Sequence, residues 1–129
     1  MKKKILVVDD DADMIELLSF HLKQAGFAVG TAMNGIEALK KIRSIAPDLV
    51  LLDLILPEMD GLAVCETLRR DRTTASLPVI MLTGLSGELS RLSALESGAD
   101  DYLSKPFSPK TLVSKVADYL HKRDKLRLS

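Results

Sequence analysis

One cysteine among 129 residues, Cys65, excludes a disulfide within the chain. It stands in LAVCETL at helical spacing from apolar neighbours, which fits a small core residue better than a nucleophile. Net charge is missing too. Eighteen basic and eighteen acidic residues cancel, so the chain as a whole has no electrostatic footprint for nucleic acid. No apolar run is long enough to span a membrane. The basic start, Lys2–Lys4, leads only into ILVV, far too short for the core of a secretion signal. A soluble cytoplasmic protein is the expectation. Also absent are internal repeats, low-complexity linkers and a glycine-rich GxxxxGK[ST] loop. Without that loop, a nucleotide cradle of that type is not expected.

What remains has the size of one common domain and is 47% hydrophobic, ample for one core. Its charges are balanced but unevenly placed. Lys2–Lys4 and His121–Arg127 make both ends basic and read as solvated termini. Acids cluster at Asp9–Asp13 and Asp100–Asp101. Short apolar runs alternate with amphipathic segments. ILVV (5–8), FAVGTA (27–32), LVLLD (49–53), LPVIML (77–82) and DYLS (101–104) are the strand candidates. The second is weak, and its glycine suggests an edge.

Between them, residues 12–25 set Ile15, Leu18, Leu22 and Ala25 on one helical stripe, which Gly26 stops. Asn34 and Glu37 have capping-box spacing ahead of Ala38, Leu39 and Ile42. Residues 61–71 turn Leu62, Cys65 and Leu68 inward, after a turn at Asp60-Gly61. Residues 87–97 form a helix closed by Gly98. Ser108-Pro109 starts a last helix that is expected to run to about Lys122. Five strands alternating with five helices predict an α/β fold with a parallel sheet covered on both faces. Ligands of such sheets bind at the carboxyl ends of the strands, where strand order reverses.

That rule gives meaning to the residues after each apolar run. Asp9-Asp10-Asp11 follow ILVV, Asp53 follows LVLL, Thr83 follows VIML and Lys105 follows DYLS. A parallel sheet gathers them at one edge, so Asp53 lies at a rim and does not interrupt the core. Two carboxylates about 4 Å apart repel by about 4 kcal/mol at an effective dielectric near 20. Asp9, Asp10 and Asp53 therefore need a cation, or one of them stays protonated. An all-oxygen set favours Mg²⁺. Lys105 and Thr83 suit the oxygens of a phosphoryl group. A carboxylate nucleophile can carry that group, and Asp53 is the candidate, alone on a central strand between the acidic pair and Lys105. Asp11 reads as a helix cap and Asp13 as solvated. His21 and His121 are too far apart in the pattern for a metal pair, and His21 is expected to be half exposed.

With these residues in place, four motifs coincide: ILVVDDD (5–11), PDLVLLDLILPEMDG (47–61), PVIMLTG (78–84) and GADDYLSKPFSP (98–109). The chain resembles the receiver domains of bacterial two-component response regulators, in detail those of OmpR/PhoB-type regulators. The resemblance covers about residues 3–122. It implies a flavodoxin-like, doubly wound sheet of five parallel strands in the order 2-1-3-4-5. It implies that a receiver domain spans 1–122, with 123–129 a tail or the start of a linker. It further implies that Asp53 accepts a phosphoryl group from a sensor histidine kinase or phosphotransfer protein. Asp10 would bind Mg²⁺ directly and Asp9 mostly through water, with Asp53 and the backbone carbonyl of Ile55 as further ligands. Lys105 would pair with a phosphoryl oxygen, Thr83 would swing to another, and Tyr102 would turn inward behind it. The Lys105–Pro106 bond is expected to be cis.

The same resemblance marks a face made by the fourth helix, fifth strand and fifth helix as the output surface, and as the face of a homodimer formed on phosphorylation. Arg91, Asp100 and Asp101 fit its pattern of charged pairs. Lys115 replaces a usual arginine, and Thr111 stands where an acid would pair with Arg91. Gly84 stands where alanine is commoner, and Ile55 and Leu85 flank the site, where they are expected to hinder water. No direct contact with nucleic acid or membrane is implied for this domain. Two other readings stand beside this one. A metal-dependent phosphohydrolase with an aspartyl nucleophile needs a second acid two residues on, where this chain has Ile55. A pseudo-receiver scaffold is at odds with intact Asp10, Asp53, Thr83 and Lys105.

Overall fold

The computed structural model describes residues 2–84 and 87–128, with side chains through residue 125. Its elements in chain order are β1 (Lys4–Val8), α1 (Ala12–Gln24), β2 (Ala28–Ala32), α2 (Gly35–Ile45), β3 (Leu49–Asp53), α3 (Gly61–Arg70), β4 (Val79–Thr83), α4 (Glu88–Glu96), β5 (Asp101–Ser104) and α5 (Pro109–Leu128). The strands form one parallel sheet in the order β2-β1-β3-β4-β5. The expected fold is present, with β2 at an edge.

Strand alternation divides the core into two layers. Ile5, Val7, Leu49, Leu51, Ile80 and Leu82 face α1 and α5, where Leu18, Leu22, Leu112, Val116 and Leu120 meet them. Leu6, Val8, Val50, Leu52, Val79 and Met81 face the other way, onto Ala38, Ile42, Val64, Cys65, Leu68 and Ala94. Each fully buried leucine contributes roughly 1.5–3 kcal/mol. Cys65 is completely buried, in the place its spacing predicts, and burial pushes its thiol pKa up.

Local signals set the helix starts. The Asp11 carboxylate accepts from the Asp13 and Met14 amides, and Asp60 accepts from the Ala63 amide. Asn34 accepts from the Glu37 amide at 2.8 Å, while Glu37 reaches back to the Met33 amide, one residue earlier than an ideal box.

Several boundaries differ from expectation, most by a single residue. β2 begins at Ala28, not Phe27. β4 is shifted to Val79–Thr83, so Thr83 is its last residue and does not follow it. Ala25 is exposed and caps α1; it is not part of the buried stripe. The largest difference is α5, which continues past Lys122 to Leu128. Arg123 donates to the Asp48 carbonyl at 2.9 Å, and Asp124 pairs with Lys3 at 3.1 Å. These partners hold the added turns against the amino edge of the sheet.

Lys115, Tyr119 and Arg123 fall four residues apart on α5 and form a polar stripe beside the apolar one. Lys115 Nζ lies 2.7 Å from Asp101 Oδ2. The Tyr119 hydroxyl shares its proton between the Asp100 carbonyl and Asp101 Oδ2, each at 3.1 Å. Burial, then the Asp101 charge and hydrogen bond, push the Tyr119 pKa up to about 12. The neutral phenol is therefore favoured by folding. Its contribution to stability is complete below the ordinary pKa near 10 and is lost as pH rises toward about 12. Ultraviolet titration should find a phenol ionising near 12 that Tyr119→Phe removes; loss of absorbance change only near 10 in the variant would contradict this placement.

Candidate functional site

The carboxyl ends of β1, β3, β4 and β5 converge because the sheet is parallel and its registers align. Asp9 follows β1 and is buried at 2% exposure, whereas Asp10 beside it is exposed. Asp53 ends β3 at 7% exposure, and Thr83 ends β4 fully covered. Lys105 follows β5, ahead of a cis bond to Pro106, as expected. Its amide donates to the Thr83 carbonyl at 2.7 Å, which ties the two strand ends together.

Asp9, Asp10 and Asp53 each offer a carboxylate oxygen, and these three atoms lie within 4.8 Å of one another. Lys105 Nζ bridges two of the acids, 2.8 Å from Asp9 Oδ2 and 3.1 Å from Asp53 Oδ2. The remaining oxygens of that pair are held from the backbone. Asp9 Oδ1 accepts from the Asp11 amide at 2.9 Å, and Asp53 Oδ1 accepts from the Ile55 amide at 3.2 Å. Sequence reasoning placed Lys105 opposite Asp53 but missed its shorter contact with Asp9.

Burial pushes the Asp53 pKa up. Lys105 pulls it back without prevailing, and the Asp9 charge adds to the rise. For Lys105 burial alone would lower the pKa, but its bonds to Asp9 and Asp53 outweigh it and raise the value. Three carboxylates and one ammonium leave a formal charge of −2 at the site (−3 + 1). That deficit, with all-oxygen donors, fits a divalent hard cation such as Mg²⁺. Both Asp9 oxygens are already engaged while Asp10 is exposed, which suits the unequal roles expected of them.

The loop after β3 is held close. A Cβ at Gly61 would lie 2.3 Å from the Asp53 carbonyl oxygen, a backbone atom with little freedom to yield. Gly61→Ala should lower stability by about 2 kcal/mol, the cost of a forced backbone shift, as read in urea unfolding. An unchanged midpoint would show that this loop is loosely held. Gly84 has open space where a Cβ would stand, so the commoner alanine would fit there. The Ile55 side chain is 57% exposed at the rim. Leu85, its expected companion, lies outside the described residues.

Tyr102 is half-buried against the α2–α4 core layer, and Thr83 is buried one strand away. The four expected interface residues are not gathered into one cluster. Arg91 pairs with Glu88 of its own helix. Asp100 accepts from Arg69 Nη2 at 3.1 Å and from the Val79 amide at 2.8 Å, toward α3 and β4. Asp101 bonds to Lys115 of α5. Thr111 is exposed. His21 is half-buried, and His121, exposed, is a hundred residues away on α5.

A family model described as the response regulator receiver domain matches residues 5–117. DNA-binding response regulator MtrA of Mycobacterium tuberculosis is 46% identical over 124 residues, 96% of this chain and 53% of the relative. The alkaline phosphatase synthesis transcriptional regulatory protein PhoP of Bacillus subtilis is 44% identical over 124 residues, 96% of this chain and 51% of the relative. The chain spans about half the length of these curated relatives. Among solved structures, a response regulator from Chloroflexus aurantiacus is 38% identical with a TM-score of 0.90, covering 94% of this chain and 99% of that one. The BeF3-activated DrrB receiver domain is 37% identical with a TM-score of 0.86, over 94% and 99%.

Proposed function

We propose a phosphorylation switch on one premise: this chain belongs to the response regulator receiver domain family. Receiver domains are signalling domains that accept phosphoryl groups from histidine kinases and bind Mg²⁺ at an acidic pocket. In this chain Asp53 is the acceptor. One of its carboxylate oxygens attacks the phosphorus of a phosphohistidine on the donor protein. The P–N bond breaks, and the electron pair leaves with the imidazole. The chain supplies the positioning for its own phosphotransfer, and it takes small phosphodonors by the same route.

Asp10, Asp53 and the Ile55 carbonyl would hold the metal, with Asp9 acting mostly through water. Mg²⁺ supplies positive charge against the carboxylates and the incoming phosphoryl oxygens. Lys105 gives up Asp53 and pairs with a phosphoryl oxygen. The Thr83 hydroxyl donates to another, and Tyr102 turns in behind it. The receiver unit is residues 1–122, and 123–129 are its C-terminal tail or the start of a linker. The α4, β5 and α5 face is the output surface, and it presents itself to a protein partner or a second copy, not to nucleic acid or membrane. The curated relatives are named as DNA-binding or transcriptional regulators, so control of such an activity in the whole protein is the fitting role.

One observation carries this reading: a single lysine bridges two buried aspartates at neighbouring strand tips, with a third aspartate alongside. The test is intact mass after incubation with acetyl phosphate and Mg²⁺. One added phosphoryl group is expected, and none when the metal is chelated. An unchanged mass with Mg²⁺ demonstrably bound would overturn the reading. Steady turnover of small phosphate esters would favour a phosphohydrolase instead.

A further inference from the structure

α4 is held very differently at its two ends. Only Ala94 on this helix is buried, while Leu89 is 81% exposed. Its N-cap is Gly87, which offers no side-chain hydrogen bond. The C-terminal end closes fully. Gly98, at φ 108°, donates to the Leu95 carbonyl at 3.0 Å, and Ala99 donates to the Ala94 carbonyl at 3.2 Å. The Ser97 hydroxyl adds a bond to the Ala94 carbonyl at 2.6 Å.

Arg69, near the end of α3, fastens this closed end to the body of the domain. Its Nε donates to the Gly98 carbonyl at 2.9 Å, and its Nη1 to the Leu77 carbonyl at 2.8 Å. Its Nη2 meets Asp100 Oδ2 at 3.1 Å, and Asp100 itself accepts from the Val79 amide. One guanidinium thus joins α3, the entry to β4 and the α4–β5 turn. Lysine has no planar fork and could not reproduce this. Packing reinforces the bond: a Cβ at position 98 would lie 2.5 Å from Arg69 Cγ.

We propose that Arg69 is the pivot of α4, a positioning residue that fixes the helix at Gly98 and leaves its amino end to move. The movement is driven from the buried Thr83 at the end of β4, and that direction rests on the phosphorylation reading. With its carboxyl end closed and bonded, and no side-chain capping bond at its amino end among the described residues, α4 rotates about the closed end when pushed at the other.

The experiment is residue-resolved amide hydrogen exchange on the full chain, as wild type, Arg69→Gln and Arg69→Lys. In the unphosphorylated protein Arg69→Gln should speed exchange at Ser97, Gly98 and Ala99 by roughly tenfold, the loss of one charge-assisted bond. Amides of β1 and β3 should stay within twofold of wild type. Arg69→Lys should fall between. No change at 97–99, an equal rise throughout the sheet, or full restoration by lysine would each overturn the proposal. After acetyl phosphate, wild-type amide shifts should change more at 88–92 than at 97–99; the reverse order would also overturn it. Failure of the phosphorylation reading registers separately, as an unchanged mass, and the unphosphorylated comparison then still decides whether Arg69 anchors α4.

Discussion

Asp53→Asn is expected to take phosphoryl uptake from one group per chain to none, without lowering resistance to urea. Asparagine keeps the shape and the possibility of accepting the Ile55 amide, but it cannot act as the carboxylate nucleophile. The stability half follows from the site's electrostatics. Burial pushes the Asp53 pKa up even with Lys105 in contact, so the charged form is disfavoured by folding. A neutral isostere removes that cost and one repulsion with Asp9. It leaves Lys105 paired with Asp9 at 2.8 Å. Intact mass and urea midpoints measured side by side give the answer. A variant that still gains phosphate places the acceptor elsewhere; a large drop in midpoint means that the Lys105–Asp53 contact outweighs the burial.

Lys105→Met should have the opposite sign and the larger size. Removing one partner of a buried ion pair leaves uncompensated charge and typically costs about 3–5 kcal/mol. Here two acids lose their shared cation, and Asp9 is nearly inaccessible to water. The formal charge of the site goes from −2 to −3, so Mg²⁺ should bind more tightly than in wild type and recover more stability as it is added. Phosphoryl uptake should fall because the group that receives the incoming oxygens is gone. Urea unfolding with and without chelator separates the terms. Equal midpoints for variant and wild type in chelator would refute the account of Lys105 as the neutralising group.

The parts of this architecture that depend on local pattern were legible in the sequence. Apolar runs of strand length, the Asp11, Asn34 and Asp60 caps, and Gly98 as a helix stop are each written within a few residues. The gathering of Asp9, Asp53, Thr83 and Lys105 also followed, because a parallel sheet brings strand ends together whatever the loops do. Contacts between distant elements were not legible. The charged segment after Lys122 reads as a solvated tail, and it remains helical because Arg123 and Asp124 find Asp48 and Lys3 far back in the chain. Asp100 and Asp101 look alike in sequence, but Asp100 lies in the bend before β5 while Asp101 begins the strand. One therefore meets Arg69 of α3 and the other Lys115 of α5. Arg69 itself gave no signal, since its partners are mostly backbone carbonyls that no residue pattern encodes.

β3 has a mechanical consequence for the whole domain. Leu49 and Leu51 are sealed into one layer, Val50 and Leu52 into the other, all at zero exposure. Sliding or tilting this strand would open a void on one side while crowding the other, and close-packed interiors resist both. Asp53 therefore sits on an anvil. Whatever news arrives there has to travel sideways, through hydroxyls, rings and loops at the rim, because the tip of β3 has nowhere to go.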